Sequence, residues 1–116
     1  MEEKEMYPKS TREMNQKKAA LAPNNIEAWR VFSKTVFEPG ALDEKTKQLI
    51  AIAVAHVTQC AYCIRAHTPL AMRKGATQKE IMEAIWIAAE MRAGATYSHA
   101  NIAMEEMERF ANRKES

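Results

Sequence analysis

Turn-forming residues are scarce in this chain: 116 residues hold only three glycines and four prolines. Folds built from many short strands need far more such punctuation, so the shortage argues against a β-sandwich or barrel. Long apolar runs are missing as well. The longest, Leu49 to Ala55, is much too short to span a bilayer. No sign of charge dominates, since 17 basic and 15 acidic residues leave a formal net charge of +2. Lys17-Lys18 and Arg113-Lys114 are short clusters rather than a basic stripe with interleaved aromatics, so no nucleic-acid partner is expected. The polar start, Met1-Glu-Glu-Lys-Glu5, has no secretory character. The expectation is a cytoplasmic protein without a membrane association. Cysteine occurs only twice. In a reducing compartment two thiols stay reduced unless they take part in a redox cycle.

What is abundant points to helices. Apolar residues make up 47% of the chain, which excludes a disordered segment, and twenty alanines and eight methionines favour helix. The expected class is all-α, a compact bundle of five to six helices in a single domain over 1–116. A polar arm occupies residues 1–9. Ser10 is placed to cap a first helix that Pro23 ends, and Asn24 or Asn25 to cap a second bearing Ile26, Trp29, Phe32 and Val36 on one face. Pro39-Gly40 stops it. Asp43 precedes a third helix over 44–58, whose run from Leu49 to Val57 is apolar except for His56 and suggests burial on most sides. A fourth begins near Cys60 and ends at Gly75; Pro69 either kinks it or starts a second segment capped by Thr68. Thr77-Gln-Lys-Glu80 is a capping box, opening a helix with Ile81, Met82, Ile85, Trp86 and Ala89 turned inward. Gly94 marks a break or a close helix contact. The last helix then runs to about Ala111, with Ala100, Ala103, Met107 and Phe110 on its apolar stripe. Trp29, Trp86 and the methionines read as packing, and His99 as structural or interfacial.

The stretch that carries chemistry is Cys60-Ala-Tyr-Cys63-Ile-Arg-Ala-His67. On a helix these two cysteines and the histidine line one face, with Cys63 and His67 one turn apart. A Cys-x-x-Cys pair at a helix N-terminus gains from the dipole and the unpaired N–H groups, which favour the reactive thiolate. A nearby imidazole can take a thiol proton, and the sulfurs are close enough to join and separate again. Three plainer readings stand beside this: buried packing cysteines, a static structural disulfide, and a zinc site built from His56, Cys60, Cys63 and His67. Four ligands on consecutive turns can hardly surround a tetrahedral ion, and no second pair lies elsewhere, so no metal and no cofactor are expected.

These residues resemble the carboxymuconolactone decarboxylase family, in its alkyl hydroperoxidase D-like branch. The resembling run is Leu42 to Ala55, then the Cys-x-x-Cys-x-x-x-His motif, then Lys74-Gly-Ala-Thr77 and the Ile81–Ala89 helix, within a family-like core over 24–111. The resemblance implies an all-α fold assembled as a homotrimer or homohexamer. It implies an antioxidant peroxidase or disulfide-reductase activity on a small hydroperoxide or a protein disulfide, driven by a thiol reductant. By the same resemblance Cys63 attacks peroxide, Cys60 resolves the sulfenate into a disulfide, and His67 assists deprotonation. Decarboxylase members generally lack the cysteine pair, so that activity is not carried over. The family places a proton-relay glutamate twelve positions before the first cysteine. Here that position is Gln48, and an amide cannot accept a proton. His56 follows Gln48 by two turns and precedes Cys60 by one, so it is either a substitute base or a hydrogen-bonded core histidine. The functional alternatives are a non-catalytic, oligomeric redox sensor of the same fold and a zinc-binding structural protein.

Overall fold

The computed structural model describes residues 6–115. Among them it has no strand and five helices: α1 (Arg12–Leu21), α2 (Pro23–Phe37), α3 (Glu44–Thr58), α4 (Ala61–Arg73) and α5 (Gln78–Glu115). The all-α expectation holds. The chain divides into two compact units, one through Glu44 and one from Lys45 onward. Among the described residues no helix is long and apolar enough to cross a membrane.

In the first unit the caps shift from their expected places. Thr11, not Ser10, caps α1, its hydroxyl accepting the Met14 N–H at 3.1 Å, while the Ser10 hydroxyl accepts the Asn15 side-chain amide. Pro23 opens α2 as its first residue, so neither Asn24 nor Asn25 caps it. A proline costs nothing there, because its fixed φ suits the first turn and its missing N–H would have had no partner. Trp29 and Phe32 pack on each other along α2, ring centroids 5.7 Å apart, yet neither helix of this unit buries a residue fully. Of the expected N-terminal arm, residues 1–5 lie outside the described residues and 6–10 carry no helix.

The second unit is built around one stripe from each of two helices. On α3 the buried residues are Gln48, Ile52 and Ala55, spaced as one helical face. Ile52 is wholly removed from solvent and packs with Ala71, Ala76, Ile81, Leu49 and Ile85. Burial of a side chain of that size stabilises by about 1.5–3 kcal/mol. On α5 the inward stripe is Ile81, Ile85 and Ala88. Two expectations are corrected here. Ile50, Val54 and Val57 are exposed, so α3 is not buried on most sides; Met82, Trp86 and Ala89 face outward, Trp86 with 69% of its surface exposed. A helix presents only about a third of its positions to one neighbour, and residues adjacent in sequence cannot all share that face.

Polar tethers fix α3 against α5 at both ends. Lys45 pairs with Glu80 at 2.9 Å, and the Arg92 guanidinium donates to the Val57 carbonyl. The two tethers are twelve residues apart on each helix, so α3 and α5 run parallel in matched register. Glu80 also completes the expected capping box, its carboxylate accepting the Thr77 N–H at 2.9 Å while Thr77 Oγ1 accepts the Glu80 N–H at 3.1 Å. The end of α4 is a Schellman closure. Gly75 adopts φ +96°, its N–H reaches the Met72 carbonyl, and the Ala76 N–H reaches that of Ala71. A single α4 runs through Pro69, so no second segment starts at Thr68. Gly94 neither breaks α5 nor allows a close helix contact: the helix continues, and a Cβ there would meet only the Glu90 side chain at 3.6 Å. Met107 and Phe110, expected on an apolar stripe, are exposed.

Candidate functional site

The site grows out of the junction between α3 and α4. After Thr58 the chain needs a sharp reversal, and Gln59 supplies it in the left-handed region at φ +57°. Such a conformation costs a non-glycine residue about 1–2 kcal/mol. It is held by a helix-closing bond from the Cys60 N–H to the Ala55 carbonyl at 2.9 Å. The next helix starts at once. Cys60 is the N-cap of α4, its carbonyl accepting the Ile64 N–H at 3.0 Å and its Sγ accepting the Cys63 N–H at 3.2 Å. Cys63 lies in the first turn. The two cysteines are joined as a disulfide, their Cα atoms 5.2 Å apart, an ordinary separation for such a bond. Both are half-buried, and Tyr62 between them is exposed.

One turn beyond Cys63, His67 meets Gln48 of α3. His67 Nδ1 lies 2.7 Å from Gln48 Oε1, and Gln48 itself is 7% exposed. An amide oxygen only accepts, so Nδ1 carries the proton and Nε2 is the nitrogen able to take one. Burial holds the imidazole below its ordinary value of 6.5, and a neutral amide offers no charge to offset that. Burial therefore favours the neutral ring, and Gln48 orients it. The structure thus brings Gln48 of α3 and His67 of α4 together, with Cys63 one turn before His67 on the same helix.

His56 is held by its own helix. Its Nδ1 donates to the Ile52 carbonyl at 2.7 Å, one turn back on α3. Because Gln59 turns the chain out of the helix, Cys60 does not continue the face that carries His56. His99 bonds its own helix in the same way, at the Ala95 carbonyl. Among the described residues no three His, Cys, Asp or Glu side chains gather where they could hold one metal ion, so the four proposed zinc ligands do not converge.

Two contributors were missed in the sequence. Arg92 caps the C-terminal end of α3 immediately before Cys60. The stripe Ile81, Ile85, Ala88 continued by one more turn would have pointed to it. The second is a gap in the charge pattern: from Glu44 to Glu80 the chain has no aspartate or glutamate between, while Lys45, Lys47, Arg65, Arg73, Lys74 and Lys79 lie within. The cysteine pair sits near the middle of that acid-free stretch.

The model of the carboxymuconolactone decarboxylase family matches residues 23–106. An uncharacterised protein of the cox locus of Paracoccus denitrificans is 64% identical over 78 residues, covering 67% of this chain and 70% of that protein. An uncharacterised Haemophilus influenzae protein is 37% identical, covering 72% of this chain and 74% of its own. Among solved structures, the apo form of a carboxymuconolactone decarboxylase family protein from Legionella pneumophila matches with a TM-score of 0.66 and 32% identity, over 84% of this chain and 87% of that one. A Thermotoga maritima member of the family, described as a candidate for a role in antioxidative response, matches with a TM-score of 0.53 and 30% identity, over 71% of this chain and 94% of that one.

Proposed function

Because the chain belongs to the carboxymuconolactone decarboxylase family, we propose that it is a thiol-dependent antioxidant oxidoreductase whose Cys60–Cys63 pair cycles between dithiol and disulfide. The observation that carries this reading is the placement of a bridged cysteine pair at the N-terminus of α4, one turn from a neutral, oriented imidazole. With a hydroperoxide the dithiol gives up two electrons and two protons, yielding an alcohol, water and the protein disulfide. With a disulfide substrate it yields two thiols and the same protein disulfide. A thiol reductant then restores the pair, which suits a cytoplasmic setting.

Gln48 favours disulfide exchange over fast peroxide reduction. General acid–base assistance is worth about a hundred- to ten-thousand-fold in rate, and an amide cannot relay a proton. The exposed apolar side chains Ile50 and Val54 on α3 and Trp86, Ile87 and Met91 on α5 support assembly into a homotrimer or homohexamer. The test of the redox reading is mass spectrometry of the reduced protein before and after one equivalent of peroxide. It should lose both free thiols and two hydrogen masses while remaining a single chain. Survival of both thiols, or intermolecular adducts alone, would overturn it.

A further inference from the structure

Which sulfur opens the reaction depends on what stabilises negative charge at each. We infer that Cys60 is the thiolate of the reduced pair and attacks a disulfide substrate, while Cys63 resolves the mixed disulfide with His67 as its base. This rests on the redox reading above and reverses the order implied by the family resemblance.

Three features favour charge on Cys60. Its Sγ already accepts the Cys63 N–H at 3.2 Å as the cap of α4. With a thiolate that bond becomes charge-assisted, roughly twice as strong as a neutral one, and lies at the positive end of the helix dipole. The negative end of α3 would oppose this from three residues upstream, but the Arg92 guanidinium occupies its Val57 carbonyl. The segment of chain that carries the pair, from Glu44 to Glu80, itself contributes no carboxylate between those two residues. The titratable and charged side chains of the meeting segments include His56 on α3, Tyr62, Arg65 and His67 on α4, and Glu90 and Arg92 on α5.

Cys63 is placed differently. It shares a helix face with His67 one turn on, but that ring's Nδ1–H is committed to an uncharged amide. Burial also lowers the pKa of this imidazole, so it does not persist as a cation that would hold a Cys63 thiolate. It remains a neutral base, suited to taking the proton of a thiol when that thiol is needed.

The steps balance accordingly. The Cys60 thiolate attacks one sulfur of the substrate disulfide, forming a mixed disulfide and expelling the other sulfur as a thiolate, which takes a proton from solvent. His67 Nε2 then accepts the Cys63 proton. The Cys63 sulfur attacks that of Cys60, closing the intramolecular disulfide and expelling the second substrate thiolate, which leaves with the proton held by His67. The substrate gains two electrons and the protein loses two. A dithiol reductant reverses the change in the protein.

The test is partial labelling of the reduced wild-type protein with substoichiometric iodoacetamide at neutral pH, the label being located by fragmentation of the Gln48–Arg65 tryptic peptide. Cys60 should carry roughly tenfold more label than Cys63, because the more ionised thiol at neutral pH alkylates faster. In single-cysteine variants, Cys63→Ser should alkylate with a lowered midpoint and Cys60→Ser with an ordinary one. Arg92→Gln should move the first midpoint upward and Arg92→Lys restore it. A failed redox reading would appear separately, as thiols that survive peroxide whichever cysteine is marked. Equal labelling, or label mainly on Cys63, overturns the assignment of Cys60.

Discussion

Gln48→Glu should convert the uncharged histidine pair into a charged one and move reactivity from Cys60 to Cys63. The amide oxygen lies 2.7 Å from His67 Nδ1, so a carboxylate oxygen can take the same place without rearrangement. Opposite charges about 4 Å apart attract by about 4 kcal/mol at an effective dielectric of about 20, before desolvation is charged against them. Carboxylate neighbours of this kind shift a pKa by about 1–3 units, and a shift of about two units corresponds to about 2.7 kcal/mol. His67, now held below 6.5 by burial, would then remain an imidazolium through neutral pH. Cys63, one turn away, gains a cation, and its thiolate fraction at neutral pH should rise roughly tenfold. The assay is the same labelling experiment run across the carboxylate-to-thiol pH range, with peroxide reduction measured alongside. Label should migrate toward Cys63, and the peroxide rate should rise by at least about a hundredfold, the lower end of general acid–base assistance. If the folded variant shows an unchanged label ratio and an unchanged rate, the electrostatic account of this site is wrong.

Three further expectations follow from the same geometry. The folded state lowers the His67 pKa, so the unfolded chain binds this proton more readily. Stability from this group should be complete above 6.5 and fall as pH drops through the lowered folded value. Thermal melting from about pH 8 to about pH 5 should show that loss, and His67→Gln should reduce the slope. Gln59→Gly removes the side chain from a left-handed position and should raise the denaturation free energy by about 0.5–1 kcal/mol; a lower midpoint would mean that the Gln59 side chain makes compensating contacts. Sedimentation at micromolar concentration should report a trimer or hexamer that Trp86→Glu weakens, whereas a stable monomer counts against assembly through these exposed faces.

Local patterns were legible in the sequence because their partners are near in the chain. The Thr77–Glu80 capping box, the limits of α3 and the start of α4 at the cysteine motif each depend on contacts within a few residues. The spacing of Cys63 and His67 was likewise readable as one turn of one helix. Other features depended on tertiary partners. That Gln48 meets His67 follows from how α3 and α4 pack, across nineteen residues of sequence, and the resemblance alone had suggested it. Arg92 reaches Val57 across thirty-five residues. Gln59 was invisible for a different reason: a left-handed turn normally signals itself by glycine or asparagine, and here the closing bond from Cys60 to Ala55 imposes it on glutamine. That turn also spoiled the extrapolation from His56 to Cys60, which assumed one continuous helix. The inward placement of Trp86 failed because apolar character does not reveal which side of a helix meets a neighbour within its own chain.

The central claim is that Cys60 and Cys63 turn over rather than oxidise once. Steady-state reduction of a small disulfide by the native protein, supplied with excess dithiol reductant, addresses it most directly. Many equivalents of substrate should be consumed per chain above the uncatalysed background, with the excess lost in both Cys60→Ser and Cys63→Ser. Consumption of a single equivalent per chain, followed by arrest with reductant still present, would contradict the catalytic account and identify the pair as a sensor.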